Sequence, residues 1–224
     1  NDFRITKNYG LAEATKNHEQ VVVFYLYKKS TYNNQEAQKW WLSKSLFNFE
    51  KKLNDFNINL EIIKTDSFKV FFDKLFKKKE ISIYWNKVYE PDYLKFDEYL
   101  SKNLKTNNVP FRICKGNALN EIDEVKKGDG TPFKVFTPFW RNAEKYYFEK
   151  IPPKEKMLKK CLRKKKFFLT CINPREILPK KNWYQNFEKI WSPSEESALK
   201  ELRNFVKYRI MNYSDGRNFP NIIG

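Results

Sequence analysis

The 224-residue chain holds one histidine, three cysteines, two methionines and six glycines, and each scarcity removes a class of protein. A lone His18 leaves no histidine cluster for a metal and no base for a Ser/His/Asp arrangement beyond that single ring. Cys114, Cys161 and Cys171 are odd in number and lack Cys-x-x-Cys spacing, so neither a disulfide framework nor a zinc site is indicated, as suits a reducing compartment. The glycines form neither Gly-x-Gly-x-x-Gly nor a Walker phosphate loop. No apolar run reaches the roughly 18 residues of a membrane span, and no charged-then-apolar leader opens the chain. These absences predict a soluble cytoplasmic protein with no membrane partner, no metal and no catalytic residue legible from spacing, and a monomer is expected.

What is abundant is aromatic and basic. Hydrophobic residues make up 41% of the chain and Phe, Tyr and Trp alone 17%, enough to build a core that a disordered chain of this charge would lack. Lys and Arg number 44 against 27 Asp and Glu, a net charge of +17, and 36 of the 44 are Lys. Two accounts compete: clustered cations that neutralise nucleic-acid phosphates, or the Lys- and Asn-rich usage of an AT-rich coding sequence. The distribution is uneven, since residues 1–142 carry 25 positive and 18 negative groups whereas 143–224 carry 19 and 9.

Short β-branched and aromatic runs alternate with longer amphipathic segments. Residues 21–27 (Val-Val-Val-Phe-Tyr-Leu-Tyr) are too short for a helix and too uniformly apolar for a one-sided strand, so they predict a strand buried on both faces. Residues 60–63, 81–85 and 110–114 repeat the pattern. Between them, residues 35–54 place Ala37, Trp41, Leu42, Ser45, Leu46, Phe49 and Leu53 on one helical face, and 67–75 and 93–104 are similar. Strands alternating with helices predict right-handed βαβ units on a doubly wound, Rossmann-like parallel sheet. Residues 1–10 are too polar for the central strand that opens such a sheet, so the sheet is expected to lack its first strand.

Beyond Phe139 the character changes. Pro152 and Pro153 precede residues 154–166, where eight of thirteen are basic and only Glu155 is acidic, a pattern of either a solvated linker face or a phosphate-binding patch. Ser192, Pro193, Glu195 and Glu196 predict a helix start with Ser192 as N-cap. Ala198, Leu199, Leu202, Phe205, Val206 and Ile210 then form its expected buried stripe, running to Asp215-Gly216. The polar opening and the close at Gly224 suggest a chain cut at both ends.

Several motifs resemble those of DNA photolyases and cryptochromes, in the same order. Asp2-Phe3-Arg4-Ile5-Thr6-Lys7-Asn8 is similar to the end of their Arg-Arg-Asp-Leu-Arg-x-x-Asp-Asn segment, with Lys7 a departure. Ala37-Gln38-Lys39-Trp40-Trp41-Leu42-Ser43-Lys44-Ser45-Leu46 resembles their Arg-Trp-Trp-Leu-x-x-Ser-Leu helix. Tyr84-Trp85-Asn86-Lys87-Val88-Tyr89-Glu90-Pro91 and Gly130-Thr131-Pro132-Phe133-Lys134-Val135-Phe136-Thr137-Pro138-Phe139-Trp140 match their Tyr-Trp-Asn-x-x-Tyr-Glu-Pro and Val-Phe-Thr-Pro-Phe-Trp stretches. Trp191-Ser192-Pro193-Ser194-Glu195 resembles Trp-x-Pro-Gly-Glu, with Ser194 for Gly, and Tyr213 to Pro220 resembles Tyr-x-x-x-Arg-(Asp/Asn)-Phe-Pro.

The resemblance implies a light-dependent repair enzyme in which photoexcited reduced FAD donates an electron that splits a pyrimidine dimer in DNA, a base-flipping reaction class. It further implies an antenna chromophore, methenyltetrahydrofolate or 8-hydroxydeazaflavin. Asp92 and Tyr93 stand where folate-binding members carry Asn and Glu, which leaves the antenna open. The implied sites are Tyr213 for FAD, Arg217 and Arg141 for the backbone of damaged DNA, and Asn86, Tyr89 and Glu90 for the antenna pocket, with Trp85 in the core. The implied domains are 1–142 (α/β antenna domain), 143–190 (linker) and 191–224 (start of a helical FAD domain), the fragment alone being inactive. A cryptochrome-like photoreceptor, or a stand-alone α/β domain that holds nucleic acid, are the alternatives.

Overall fold

Two parallel strand pairs frame the computed structural model, which describes every residue except 1, 77–79, 117, 119, 122–123, 150–157, 169, 220 and 222–224, and the side chains of 146–149. Strand β1 (Val22–Tyr27) pairs with β2 (Asn59–Lys64), Val22 opposite Asn59 and Tyr27 opposite Lys64. Strand β3 (Ile83–Asn86) pairs with β4 (Phe111–Cys114). These are the four apolar runs, separated by helices α1 (Tyr9–Asn17), α2 (Glu36–Asn54), α3 (Phe68–Phe76) and α4 (Pro91–Thr106) in alternation with them. Local chemistry sets the helix limits. Asn8 caps α1 by accepting from the Leu11 N–H, and Pro91 opens α4 where no N–H is required. Asn57 and Asn108, at φ 57° and 52°, turn the chain beyond α2 and α4 in the left-handed region that Asn tolerates.

Apolar layers cover both faces of the strands. On one side Leu11, Leu46 and Leu53 from α1 and α2 pack with Ile58, Leu60 and Ile62. On the other, Phe71, Leu75, Leu100 and Leu104 from α3 and α4 pack with Phe24, Ile83 and Trp85. Successive strand residues serve opposite layers, as Ile62 and Ile63 do, so the architecture is the α/β doubly wound parallel sheet. Among the described residues no backbone hydrogen bond joins β1 to β3. With that edge of β1 unpaired among the described residues, residues 22–26 are only half-buried, where burial on both faces was expected.

Further differences have physical causes. In α2 it is Trp40, 3% exposed, that turns inward, whereas Trp41 is 46% exposed and packs edge-on against Trp191 at 5.9 Å. The predicted N-cap at Ser192 falls two residues early. Ser194 is the cap, accepting from Ser197 N–H, and α7 (Glu195–Tyr208) follows it. Between β4 and α7 lie α5 (Phe136–Glu149) and the one-turn α6 (Phe187–Ile190). Helix α7 stops at Arg209 and gives way to a 3-10 turn (Ile210–Asn212) and the short α8 (Tyr213–Gly216), not one continuous helix. Its expected buried stripe is not buried: Leu202, Val206 and Ile210 are 55%, 52% and 46% exposed. Pro152, Pro153, Lys154, Glu155, Lys156 and Gly224 lie outside the described residues.

The described part of the basic stretch is strapped onto the α/β core. Cys161 N–H donates to the Phe56 carbonyl and Leu162 N–H to that of Glu19. Glu61, 1% exposed, accepts from the backbone N–H groups of Phe167 and Phe168. An antiparallel bridge joins Ile172 to Ile62. The cationic heads of Lys159, Lys160 and 163–166 face outward.

Beneath β3, Trp85 stacks on Phe111, and its buried indole Nε1 stands near the Asp97 carboxyl without a hydrogen bond to it. Burial raises the Asp97 pKa, partly offset by the indole N–H and Lys87. A carboxyl whose folded pKa is raised gives stability that is present in acid and lost as pH rises through the folded value. Asp97→Asn removes that loss. In urea titrations between pH 4 and 7 the variant is expected to gain on the wild type as pH rises, whereas parallel curves would contradict the assignment.

Candidate functional site

The carboxyl ends of the strands, where open α/β sheets hold ligands, are organised by one amide. Asn86, the last residue of β3, accepts from the Gly10 N–H at 2.8 Å through Oδ1 and donates through Nδ2 to Asp2 Oδ2 at 3.0 Å and Asn8 Oδ1 at 2.9 Å. Asp2 also takes the Arg4 guanidinium at 2.7 and 2.8 Å, and Arg4 reaches on to the Gly116 carbonyl. Those bonds raise the Arg4 pKa, Asp2 first, and keep it cationic. Gly10 has no room for a side chain, since a Cβ would stand 3.0 Å from Asn86 Oδ1 and 3.3 Å from the Trp85 carbonyl carbon. Asn86 is therefore the frame of this edge, with its amide hydrogen-bonding capacity committed to the protein.

Beside it opens a cavity of about 680 Å³ whose lining includes Asp2, Asn8, Gly10, Tyr25, Asn86 and Tyr93. At this end Tyr25 and Tyr32 share a hydroxyl–hydroxyl bond of 3.0 Å, and burial, then that bond, push the Tyr25 pKa up, so it stays a neutral phenol. Phe3 packs on Tyr25 and Phe49. Tyr89 and Glu90 lie in the loop after β3. Burial and then Glu121 raise the Tyr89 pKa, and Lys87 sits over its ring at 5.3 Å. Glu90 is exposed. The three expected antenna residues are thus close in sequence but differ in circumstance: Asn86 is structural, Tyr89 is enclosed, and Glu90 faces solvent.

The carboxyl-terminal candidates form a second group. Tyr213 opens α8, 47% exposed, with its ring edge-on to Phe205 at 5.4 Å and the Arg217 guanidinium 5.9 Å from its centre. No hydrogen bond engages its hydroxyl among the described residues. The four-residue spacing that makes Arg217 a helical neighbour of Tyr213 is what brings the two together. Arg141 is exposed on α5, away from that pair in sequence. Glu195, in the first turn of α7, accepts from Ile5 N–H at 2.7 Å and Thr6 N–H at 2.9 Å, and from the Thr6 hydroxyl. It therefore fixes α7 against the carboxyl edge.

Glu61, Glu195 and the Asp2–Asn8–Asn86 set escaped the reading by spacing. Only Glu61 left a signal, a charge inside a run otherwise fit for a buried strand. Among the described residues there is no group of His, Cys, Asp and Glu able to hold a metal ion and no helix long and apolar enough to cross a membrane.

A family model described as DNA photolyase matches residues 1–157. The deoxyribodipyrimidine photo-lyase of Agrobacterium fabrum is 28% identical over 223 residues, 98% of this chain and 46% of that protein. The structure of a bacterial class III photolyase from Agrobacterium tumefaciens matches with a TM-score of 0.82 at 27% identity, over 98% of this chain and 45% of that one. A cryptochrome from Synechocystis sp. PCC6803 shares the fold, with a TM-score of 0.75 at 19% identity over 97% and 47% of the two chains. The chain spans less than half the length of these relatives.

Proposed function

The chain belongs to the DNA photolyase family, and from that premise we propose that it supplies the antenna-binding half and the DNA-positioning beginning of the flavin half of a deoxyribodipyrimidine photolyase. What carries this reading is the continuous likeness to the class III photolyase along 98% of the chain. In the proposed division, residues 1–142 hold the antenna, 143–190 connect, and 191–224 begin the FAD-binding helices. Helix α5 crosses the first of these borders, so the connection starts as an extension of the antenna domain. The working form is a cytoplasmic monomer, and the chain alone is inactive because it holds only part of the flavin site.

A bound reduced flavin would supply, on illumination, the electron that opens the dimer's carbon–carbon bonds and would take it back once they are open. The chain's own residues bind and orient. Tyr213 offers a half-exposed ring whose hydroxyl is unengaged among the described residues, which suits a contact near the flavin phosphates. Arg217, held beside it, and Arg141 place fixed cations for DNA phosphates, which position a duplex without reading its sequence. The outward lysines of 159–166 add a screened, sequence-independent attraction. At the antenna pocket, proposed for a folate or a deazaflavin, Asn86 sets the edge of the 680 Å³ cavity, and Tyr89 and Glu90 stand in the adjoining loop outside its lining.

Arg217 gives the test. In a polypeptide carrying these residues together with a photolyase-length helical portion, Arg217→Ala is expected to weaken binding of dimer-containing duplex about fivefold. It should also lower the salt slope by about one, and leave dimer splitting at saturating DNA unchanged. An unaltered affinity and salt slope would remove Arg217 from the DNA interface.

A further inference from the structure

We infer that the clamped segment 158–166 is a second nucleic-acid surface of this chain, a site for the phosphate backbone of undamaged duplex DNA at the amino ends of β1 and β2. It rests on the DNA-binding reading above and adds to Arg217 and Arg141 a place that grips any duplex, damaged or not. The backbone of the segment is held at those amino ends. Lys159 N–H donates to the Thr15 hydroxyl at 3.2 Å, in the last turn of α1. Leu162 N–H donates to the Glu19 carbonyl, which leads into β1, and Cys161 N–H to the Phe56 carbonyl, which leads into β2. Asn57 Nδ2 holds the Cys161 carbonyl at 2.9 Å, and Leu158 and Cys161 are buried in the core. Asn86 stands at the opposite, carboxyl edge, removed from the clamp by the length of a strand, roughly 20 Å for the six residues of β1.

With Leu158 and Cys161 turned inward, the cations turn out. Six of the eight residues 159–166 are Lys or Arg, and all six are exposed. Among the described residues none of the six forms an ion pair. Glu19 and Glu50 border the segment, Glu50 within electrostatic reach of Lys164, which sets two carboxylates against six cations. On a mobile linker such charges relax by moving apart, but here the backbone bonds prevent it, so the repulsion is relieved by counterions or by a polyanion that displaces them. The clamp also leaves little backbone freedom to be lost on binding. Lysine-rich codon usage explains the number of lysines but not their being held together in one place. Fully extended, the seven steps from Lys159 to Lys166 span at most about 24 Å, some seven phosphates of one strand at roughly 3.4 Å of axis each. A duplex suits the segment better than a single strand, because it carries twice the charge per length and residues 159–166 hold no ring on which bases could stack. Membrane binding needs an apolar face, and within 159–166 only Leu162, 69% exposed, offers apolar surface.

The probe is an undamaged duplex of about 20 base pairs, titrated in the dark with the 224-residue chain and read by fluorescence anisotropy between about 50 and 200 mM salt. Four phosphate contacts give an expected slope of log K against log salt of roughly −4. A variant carrying Lys159→Gln, Lys160→Gln, Arg163→Gln and Lys166→Gln should bind about tenfold more weakly at the low-salt end and flatten that slope by about three. Its urea midpoint should stay that of the wild type, because no clamp bond uses those side chains. A second variant, with Lys69→Gln, Lys74→Gln, Lys95→Gln and Lys102→Gln, removes the same charge from exposed positions on α3 and α4 and should change the slope by less than about one. Equal losses in the two variants would leave only net charge at work, and an unchanged slope in the first would remove the segment from DNA binding. Tighter binding of phosphatidylserine vesicles than of duplex would assign the surface to a membrane. Each of these results would overturn the site, and none of them bears on lesion binding through Arg217, which its own variant tests.

Discussion

Glu61→Ala is expected to cost the fold about 3 kcal/mol, since two charge-assisted hydrogen bonds to a buried carboxylate are lost and two backbone N–H groups are left unpaired. The carboxylate sits in the middle of β2, 1% exposed, and holds the N–H groups of Phe167 and Phe168. Those two phenylalanines pack edge-on against Phe24 of β1, at 5.9 and 5.7 Å. Losing Glu61 therefore loosens an aromatic cluster as well as the strap. The measurement is urea denaturation with hydrogen exchange at 167 and 168: both amides should lose protection while α2 keeps its own. Glu61→Gln, which retains one acceptor oxygen and turns an NH₂ toward the strap, should fall about halfway. A Glu61→Ala variant as stable as the wild type would show that the basic segment is not held through this residue.

Asn86→Ala is the second large effect, roughly 3 kcal/mol, because one amide serves three partners. Its removal leaves the Gly10 N–H facing a void and takes one donor each from Asp2 and Asn8. The consequence reaches α1, whose cap is Asn8, and through Asp2 the Arg4–Gly116 contact. Asn86→Asp separates a framing role from a ligand role. It keeps an acceptor for Gly10 but sets a second carboxylate against Asp2, so it should be destabilising at neutral pH and recover in acid. A variant of Asn86 that unfolds no more easily than the wild type, yet loses antenna binding, would make Asn86 a direct chromophore contact.

Residues 21–27, 60–63, 81–85 and 110–114 announced their strands because a parallel sheet covered on both faces needs uninterrupted apolar runs. Side-chain direction within a helix was less legible. In α2 the pair Trp40-Trp41 satisfies a helical stripe in either register, and the docking of Phe187 and Glu188 over Trp40 decides between them, leaving Trp41 exposed beside Trp191. Helix α7 shows the converse limit. Its spacing reads as a buried stripe, but burial depends on what lies opposite, and Leu202, Val206 and Ile210 face outward. Among the candidate site residues, Tyr213 and Arg217 stand together because four residues is a helical neighbour distance. Motif spacing said nothing of Asn86 as a frame, because that role depends on Asp2, Asn8 and Gly10, some 80 residues earlier in the chain.

In the proposed function these residues belong to a light-driven repair enzyme for pyrimidine dimers. Its most direct measurement is dimer loss from a thymine-dimer oligonucleotide under blue light, followed by chromatography of the restored strand. The polypeptide must carry this chain with a photolyase-length helical portion and reduced FAD. Repair is expected under blue light and none in the dark. Flavin binding and a light response with no repair of the dimer would contradict it and place the chain among photoreceptors of the same fold.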